Sequence, residues 1–299
     1  MKIVLPVDGS EYSRAAVEFV ASRTTLIGDE PDVDVVNVQL TIPPRAARAF
    51  GRSALADYYN EEADKAIKPV IRRLSEMGLA ATPRRLVGHP GEQISKLAVK
   101  ESADLIIMGS HGHSALGNLL VGSVTNNVLA RTRVPLLVVR QRKAPASDAL
   151  KVGIAVDGSK VGREAVKYVL RHRPLFGAAP ALTLVHVVSD FAGAMMPDMS
   201  GIALPTLSGE DMRALQKSAF ETAVAPVRKL LAKSGITAGE VCLVGNPADE
   251  LAAFAKKQKL DLLVMGSHGY GAFKAVVLGS VATRVMARSK VPLLLIRRA

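Results

Sequence analysis

The sequence predicts an α/β protein built from two copies of one unit, each a parallel sheet covered by helices on both faces. Three observations lead to this fold class. Recognisable segments occur twice along the 299 residues. Within each copy, short apolar runs alternate with amphipathic stretches of helical period, and this β-α-β alternation produces a parallel sheet. The composition, 48% hydrophobic and 22% charged, is that of a chain that buries a core.

Four segments that recur in the same order in the two halves of the chain indicate the duplication. The first recurs after 149 residues and the other three after 157, so the second copy carries a net insertion, which we place in 191–207. A polar, proline-containing stretch separates the copies, so we predict domains at 1–143 and 151–299 joined by a linker at 144–150. The pairs are KIVLPVDG and KVGIAVDG, LVGHP and LVGNP, DLIIMGSHG and DLLVMGSHG, and RVPLLVVR and KVPLLLIR.

The elements of the first copy follow from apolar runs, which predict strands, and from apolar residues at helical spacing. The Asp8-Gly9-Ser10 turn closes the first strand and offers a helix cap, and Gly78 marks the end of the longest helix. In such a sheet, ligand sites lie at the carboxyl ends of the strands, near the switch in strand order. The predicted strands are 3–7, 34–40, 82–87, 105–108 and 135–139, and the predicted helices are 13–22, 60–77, 90–101 and 122–131.

The most specific motif follows the fourth strand of each copy. It reads Gly, two residues, Gly, nine residues, Gly-Ser, and the spacing is the same in both copies. Glycine lets backbone N–H groups surround phosphate oxygens, and the final Gly-Ser opens a helix whose N-terminus favours an anion. The alternative is a tight strand–helix turn that needs glycine for its shape alone. The residues are Gly109, Gly112, Gly122 and Ser123 in the first copy and Gly266, Gly269, Gly279 and Ser280 in the second.

Two further positions recur at the predicted carboxyl edge of the sheet. Asp8 and Asp157 follow the first strand of each copy, where a carboxylate can accept from ribose hydroxyls or hold Mg²⁺ beside phosphates. Capping of the following helix is the equal alternative. Val38 and Val187 end the second strands, where their backbone can meet a purine edge.

Histidine and cysteine, which often carry chemistry, are assigned here to structure. His111 and His268 lie in glycine-rich loops without the three or four ligands that a zinc site needs, so we expect loop histidines that bond to backbone. Cys242, the single cysteine, lies within an apolar run and is expected in the core.

The net charge of +12 is uneven, with +3 in residues 1–148 and +9 in residues 149–299. This excess favours acidic ligands. Aromatic residues are only 4%, and tryptophan is absent, which argues against a stacking platform, so nucleic acid is not an expected partner. No apolar run approaches the ~18 residues of a membrane span, and no secretory leader is evident. We expect a cytoplasmic protein.

Together these motifs resemble the universal stress protein (UspA-like) family. The resemblance rests on the VDGS turn, the valine that ends the second strand, the VG-x-P turn and the glycine signature, and it covers nearly the whole chain as two tandem domains. It implies a Rossmann-like fold of the adenine nucleotide alpha hydrolase type, with five parallel strands in the order 3-2-1-4-5. It also implies that the fifth strands pair within the chain and leaves a further homodimer open.

The resemblance implies an ATP site in each copy, with Mg²⁺ as an accompanying ion. The loops 41–59 and 188–212 differ between the copies, so their contacts stay open. Carried over by position, Asp8 and Asp157 face the ribose, Val38 and Val187 contact the adenine, Met108 and Met265 line the pocket, and the glycines and serines of the motif hold the phosphates.

The function implied is that of an ATP-binding sensor or regulator of the stress response. Two alternatives remain open: a slow ATPase or phosphotransferase that uses the same site, and an interaction module that binds no nucleotide. Asp8 and Asp157 are the only evident general bases, and Lys274 is the only cation within the glycine loops. Phosphoryl transfer needs clustered positive charge, so we expect at most weak ATP hydrolysis.

Overall fold

The structure is a computed structural model that describes residues 1–47, 51–110, 122–140, 143–188, 208–268 and 278–297. The predicted insertion at 191–207 and two glycines of the motif, Gly112 and Gly269, lie outside these residues. Within them, no helix is both long enough and apolar enough to cross a membrane.

The first repeat alternates strands and helices along the chain. Its elements are β1 (Lys2–Pro6), α1 (Glu11–Ala21), α2 (Thr24–Gly28), β2 (Asp32–Gln39), α3 (Pro44–Ala47), α4 (Arg52–Glu76), β3 (Ala81–Val87), α5 (Pro90–Lys100), β4 (Leu105–Gly109), α6 (Ser123–Arg131) and β5 (Leu136–Val139).

The second repeat has the same alternation, with a short 3-10 helix, Arg173–Phe176, after its first helix. Its elements are β6 (Lys151–Ala155), α7 (Lys160–Arg171), β7 (Ala181–Val188), α8 (Gly209–Lys233), β8 (Gly239–Val244), α9 (Pro247–Lys257), β9 (Leu262–Gly266), α10 (Ser280–Arg288) and β10 (Leu293–Ile296).

The ten strands of the described residues form one sheet, in the order β3-β2-β1-β4-β5-β10-β9-β6-β7-β8. Within each repeat the strands are parallel and lie in the order 3-2-1-4-5. The fifth strands pair antiparallel where the repeats meet, with Leu294 opposite Leu137. The predicted α/β fold class, with two tandem domains, is confirmed.

The core lies in two layers, one on each face of the sheet, because side chains along a strand alternate between faces. On β1, Ile3 and Leu5 face the layer formed with α1, α4, α7 and α8. Val4, between them, faces the layer formed with α5, α6, α9 and α10. Each layer runs through both repeats, so the two units share their hydrophobic core.

The helix bounds differ from the prediction mainly at α4, which begins at Arg52 rather than at residue 60. Its first two turns are largely exposed and carry no apolar stripe, so apolar spacing could not mark them. The short helices α2 and α3 were not predicted, since four or five residues are too few to show a period.

Two arginines connect the repeats away from the strand pairing. Arg23, at the start of α2, is fully buried and donates to the backbone carbonyls of Ser147 and Asp148 in the linker, at 2.8 and 2.7 Å. Arg297, just after β10, is nearly buried and donates to the carbonyl of Leu129 near the end of α6. Each repeat therefore contributes one buried arginine that binds carbonyl groups outside that repeat. Arg23 of the first repeat binds the linker, and Arg297 of the second binds α6.

The prediction that Cys242 lies in the core is wrong. Cys242 lies on β8, the edge strand of the sheet, and its side chain is exposed. Its neighbours Val241 and Leu243 point to the core face, which leaves Cys242 on the solvent face. The apolar run 241–244 predicts a strand buried on both faces, but this edge strand has only one covered face. Partial desolvation still raises the pKa of the Cys242 thiol, which disfavours a reactive thiolate.

Candidate nucleotide-binding site

A cavity of about 420 Å³ opens at the carboxyl edge of the sheet in the second repeat. It lies where the ends of β6, β7 and β9 meet the starts of α9 and α10. Six of the seven residues predicted for this repeat line it; the seventh, Gly269, lies outside the described residues. The six are Asp157, Val187, Met265, Gly266, Gly279 and Ser280.

One side of the cavity is apolar. Val185 and Val187 from β7 and Leu251 from α9 line it, together with Met265 at the end of β9. Met265 is only 6% exposed, so it forms a floor rather than a rim. Apolar walls with a few polar groups at one end are typical of small-molecule sites.

The turn after β6 is built by Asp157 and Ser159. The carboxylate Oδ1 of Asp157 accepts from the backbone N–H of Ser159 at 2.9 Å, and Gly158 between them has a φ of +78°. Ser159, not Asp157, caps α7, because its hydroxyl oxygen accepts from the N–H of Gly162 at 3.0 Å. The alternative that Asp157 caps the helix is therefore wrong. Asp157 instead lines the cavity.

The same turn follows β1 in the first repeat. Oδ1 of Asp8 accepts from the N–H of Ser10 at 3.0 Å, and Ser10 caps α1 by accepting from the N–H of Ser13. In both repeats the aspartate thus orders the turn, and the serine two residues later caps the start of the helix. Asp8, like Asp157, is not the helix cap.

Gly109 and Gly266, which end β4 and β9, are required by packing. A Cβ on Gly109 would lie 2.5 Å from the carbonyl carbon of Tyr12 in α1. A Cβ on Gly266 would lie 2.8 Å from a methyl group of Val161 at the same place in α7. These two glycines let the first helix of each repeat approach the strand end closely, whether or not a ligand is bound.

Gly122 and Gly279 stand at the starts of α6 and α10. Each donates its N–H at 2.8 Å to the carbonyl of a buried serine, Ser110 or Ser267, which closes the ends of the glycine loop against each other. Neither helix has a side-chain cap, in contrast to α1 and α7. The free N–H groups of a helix start carry a partial positive charge that favours anions, and at α10 this start lies in the cavity wall.

The model of the universal stress protein family matches residues 1–140 and 150–297. The chain belongs to this family. It matches over both repeats, so the tandem form is part of the assignment.

Relatives of this universal stress protein match one repeat, about two thirds of the chain, or nearly all of it. Universal stress protein MJ0577 of Methanocaldococcus jannaschii is 31% identical over 157 residues, 48% of this chain and 96% of that protein. Universal stress protein Mb2019 of Mycobacterium bovis is 26% identical over 314 residues, 99% of this chain and 94% of that protein. A universal stress protein structure from Archaeoglobus fulgidus has a TM-score of 0.71 at 23% identity, covers 100% of this chain and 98% of that chain, and supports the fold.

The first repeat of this universal stress protein differs from the second at the site. Asn37 replaces His186 at the end of the second strand, and each side chain binds the carbonyl before the aspartate turn, Val7 or Val156. Thr125 stands where the second repeat has Ala282, and its hydroxyl donates to the carbonyl of Gly109 at 3.2 Å. Of the predicted residues there, Met108 and Gly109 end the buried β4 and Val38 lies one residue before the end of β2. Gly122 precedes α6, which begins at Ser123.

Sequence reasoning missed several residues of the cavity. Pro247 and Leu251 enter from α9, and Ser267 and His268 follow Gly266. The signal for Pro247 was present, since a proline lies two residues after the VG dipeptide in both copies. Ser267 and His268 were also visible as an identical pair in the two glycine loops. Leu251 carried no signal, because one apolar residue of an amphipathic helix looks like any other core position.

Proposed function

We propose that each repeat of this universal stress protein binds ATP at the carboxyl edge of its half of the sheet. The carrying observation is that Asp157, Val187, Met265, Gly279 and Ser280, which lie far apart in the sequence, line one cavity. Its volume of about 420 Å³ lies within the range of roughly 300–1,000 Å³ typical of small-molecule sites. In this proposal the bound nucleotide sets the state of a sensor or regulator that works in the cytoplasm.

The chemistry of the cavity walls supports an adenine nucleotide. The slot between Val187, Leu251 and Met265 suits a flat apolar ring. Asp157 can accept from ribose hydroxyls or hold Mg²⁺, and the start of α10 can bind phosphate oxygens. In the first repeat we assign the same roles to Asp8, Val38 and Met108, with the start of α6 as the phosphate site.

Fast ATP hydrolysis is not part of the proposal. Among the described residues that line the cavity there is no lysine or arginine. Transfer of a phosphoryl group requires cationic groups close to the equatorial oxygens and the leaving group, because both carry negative charge. A bound metal ion and the helix start can supply part of that charge, which is consistent with weak hydrolysis at most.

Titration calorimetry with ATP and Mg²⁺ tests binding directly. We expect about two nucleotides per chain for the natural protein and about one for each of Gly122→Glu and Gly279→Glu. The introduced carboxylate repels the phosphates and its side chain occupies their place. Gly209→Glu, at the exposed start of α8 with no atom near its Cβ position, is the matched control and should keep both sites.

Absence of ATP binding would contradict the proposal. If the natural protein gives no heat with ATP and releases no nucleotide on denaturation, the glycine loops serve packing alone. The interaction-module alternative then takes precedence. A turnover of many ATP per second in the same preparation would contradict the regulatory proposal in favour of an enzyme.

A further inference from the structure

The excess positive charge of the second repeat has no part in the proposed nucleotide site, and the structure shows where a portion of it lies. Five exposed lysines lie at the amino edge of this half of the sheet, where the strands begin, opposite the carboxyl edge that forms the cavity. None of the five forms an ion pair with a residue that the structure describes. We call them the amino-edge lysines: Lys151, Lys256, Lys257, Lys259 and Lys290.

The amino-edge lysines share one surface because they belong to adjacent strands and to the helix end beside them. Lys151 begins β6, and Lys259 and Lys290 each lie three residues before the start of β9 or β10. β10, β9 and β6 are neighbours in the sheet, about 4.8 Å apart, so the three starts span roughly 10 Å. Backbone hydrogen bonds join this edge, from the N–H of Asp261 to the carbonyl of Lys151 at 2.9 Å and from the N–H of Lys259 to the carbonyl of Lys256 at 3.2 Å. The lysines therefore form a continuous cationic strip.

The first repeat has the same edge, but there the basic groups are paired with carboxylates. Nζ of Lys2 lies 2.8 Å from a carboxylate oxygen of Asp32 and 2.8 Å from one of Asp34. Nε of Arg84 lies 2.7 Å from the other oxygen of Asp34, and its Nη2 is 3.8 Å from Glu101. The charges of this edge are thus balanced within the protein.

The second repeat lacks these carboxylates. In the strand register Ala181 lies opposite Lys151, as Asp32 lies opposite Lys2. Asp261 remains at this edge, where its carboxylate accepts from the backbone N–H of Lys151 at 2.8 Å. The ammonium groups of the strip are therefore left to solvent, with no carboxylate of the described residues bound to them. The replacements are Ala181 for Asp32, Thr183 for Asp34 and Gln258 for Glu101.

The second repeat has also gained lysines at this edge. Lys256 and Lys259 stand where the first repeat has Val99 and Ser102. Ser102 and Lys259 share a left-handed φ, of 50° and 51°, so the two turns correspond. Lysine in the last turn of a helix complements the helix dipole, which accounts for Lys256 but not for Lys259 beyond the helix or Lys290 before a strand. The fold does not need this charge, since the first repeat forms the same edge without it.

A strip of point charges without apolar side chains fits a phosphate backbone better than a membrane. Stable attachment to a membrane needs apolar insertion besides basic charge. The large apolar side chains that the described chain exposes lie away from the strip. The low aromatic content of 4% argues against a platform for single strands, but a duplex has its bases already stacked and is held through its phosphates. The exposed apolar residues are Leu40, Tyr58, Val87, Val99, Leu215 and Val244.

We propose that the amino-edge lysines bind the phosphate backbone of double-stranded nucleic acid without reading its sequence. Lysine is a compact point charge and lacks the planar fork with which arginine reads a base edge. Each ammonium group that neutralises a phosphate releases condensed counterions, so affinity falls steeply as salt rises. Five such contacts give a slope of log K against log salt of about −4.5, which is a loss of about 500-fold for a fourfold rise in salt.

The test is fluorescence anisotropy of the full chain with a labelled DNA duplex of about 20 base pairs, at about 25 to 100 mM salt. Over this range we expect the natural protein to lose about 500-fold in affinity and Lys256→Gln/Lys290→Gln, with two contacts removed, to lose about 40-fold. Two duplexes of unrelated sequence should bind alike. The control Lys217→Gln/Lys229→Gln has the same net charge, lies on α8 at the opposite face of the sheet, and should keep the natural slope.

Three results would overturn the proposal. The first is no binding of duplex at the lowest salt. The second is an equal slope for the amino-edge variant and its control, which would assign binding to net charge alone. The third is binding to vesicles that contain phosphatidylserine without binding to duplex, which would assign the strip to a membrane surface. Should a variant fail to fold, the slope of the natural protein still decides, because a value near zero contradicts lysine–phosphate contacts.

Discussion

At the scale of single residues, two positions related by the duplication stabilise the contact between the repeats with different chemistry. Arg23 and His172 are 149 residues apart, and so are the aromatic residues beside them, Phe19 and Tyr168. The guanidinium of Arg23 lies 5.4 Å from the Phe19 ring, and the His172 ring lies 4.4 Å from that of Tyr168. The Tyr168 hydroxyl donates to the carbonyl of Asp104 in the first repeat at 3.1 Å.

Replacement of Arg23 by methionine should lower stability by about 2–4 kcal/mol. The methionine fills similar volume, but the carbonyls of Ser147 and Asp148 lose their donor in a buried place. Burial lowers the pKa of the Arg23 guanidinium, a sign of how little solvent reaches it. Urea unfolding followed by circular dichroism measures the change. The exposed Arg72→Met is the matched control, and equal midpoints for the two variants would contradict the assignment.

His172 should make stability depend on pH. Burial lowers the pKa of His172, against a smaller opposite effect of Asp104, so the unfolded chain binds its proton more readily than the folded one. Its contribution is fully present above the unfolded pKa of about 6.5 and is lost as pH falls from there toward the lower folded pKa.

The measurement is the free energy of unfolding at pH 5.5 and pH 7.5. We expect the natural protein to lose more stability at the lower pH than His172→Gln does. His89→Gln, at an exposed histidine, should keep the natural dependence. A variant with an unchanged pH dependence would show that His172 is not responsible.

At the scale of elements, the close approach of α1 to β4 and of α7 to β9 determines the shape of each site. The helix that follows the first strand lies against the end of the fourth, and glycine at that end is what permits it. The second repeat uses Val161 where the first uses Tyr12, yet the clash with a Cβ is present in both. Packing alone therefore accounts for glycine at this position, which the proposed function also assigns to the nucleotide site.

Gly109→Ala should destabilise the protein by about 1–3 kcal/mol even without nucleotide. The new methyl group would meet the backbone of Tyr12, which cannot move without shifting α1. Thermal unfolding of the nucleotide-free protein is the measurement. Gly28→Ala, at the end of α2 with open space at its Cβ position, is the control and should be neutral or slightly stabilising. Loss of stability only in the presence of ATP would instead favour a purely ligand-binding role.

At the scale of the whole molecule, the two repeats form one continuous sheet rather than two separate domains joined only by a linker. The antiparallel pairing of β5 with β10 removes an exposed edge from each half. Leu137 and Leu294, paired in register, are fully buried, and Arg23 and Arg297 add contacts beyond the strands. We therefore expect the repeats to stay together once the chain has folded even if the backbone is cut within 144–146, before the linker residues that Arg23 binds.

A chain cut in its linker should stay together. If a protease site is inserted at 144–146 and cleaved, we expect both fragments to elute from size exclusion as one full-size particle under native conditions and to separate in urea. Fragments that elute apart without denaturant would show that the covalent linker, not the shared sheet, holds the repeats together.

Sequence and structure contribute differently at these scales. The repeat offsets and apolar runs predicted the α/β class and located most elements within a few residues. The same patterns failed for the exposed start of α4 and for Cys242. Apolar periodicity indicates a helix only where an apolar stripe exists, and the start of α4 has none. An apolar run does not show which strand lies at the edge of the sheet, where Cys242 is exposed. The glycines and Ser280 of the second site were named from motif spacing, Asp157 and Val187 from their recurrence at strand ends, and Met265 from the family resemblance. The nucleotide that they are assigned to bind stays a prediction.

The sequence by itself determined that the chain contains two α/β units and that glycine, aspartate and valine recur at positions belonging to one edge of a sheet. Local patterns suffice for this, because strands, helices and tight turns depend on residues close in the chain. Only the tertiary structure decided that Ser10 and Ser159, rather than the aspartates, cap their helices, and that Gly109 and Gly266 make room for a neighbouring helix. The room at the two glycines depends on contacts between segments distant in sequence, Tyr12 with Gly109 and Val161 with Gly266. The caps are local hydrogen bonds, but residue spacing alone did not show which side chain makes them.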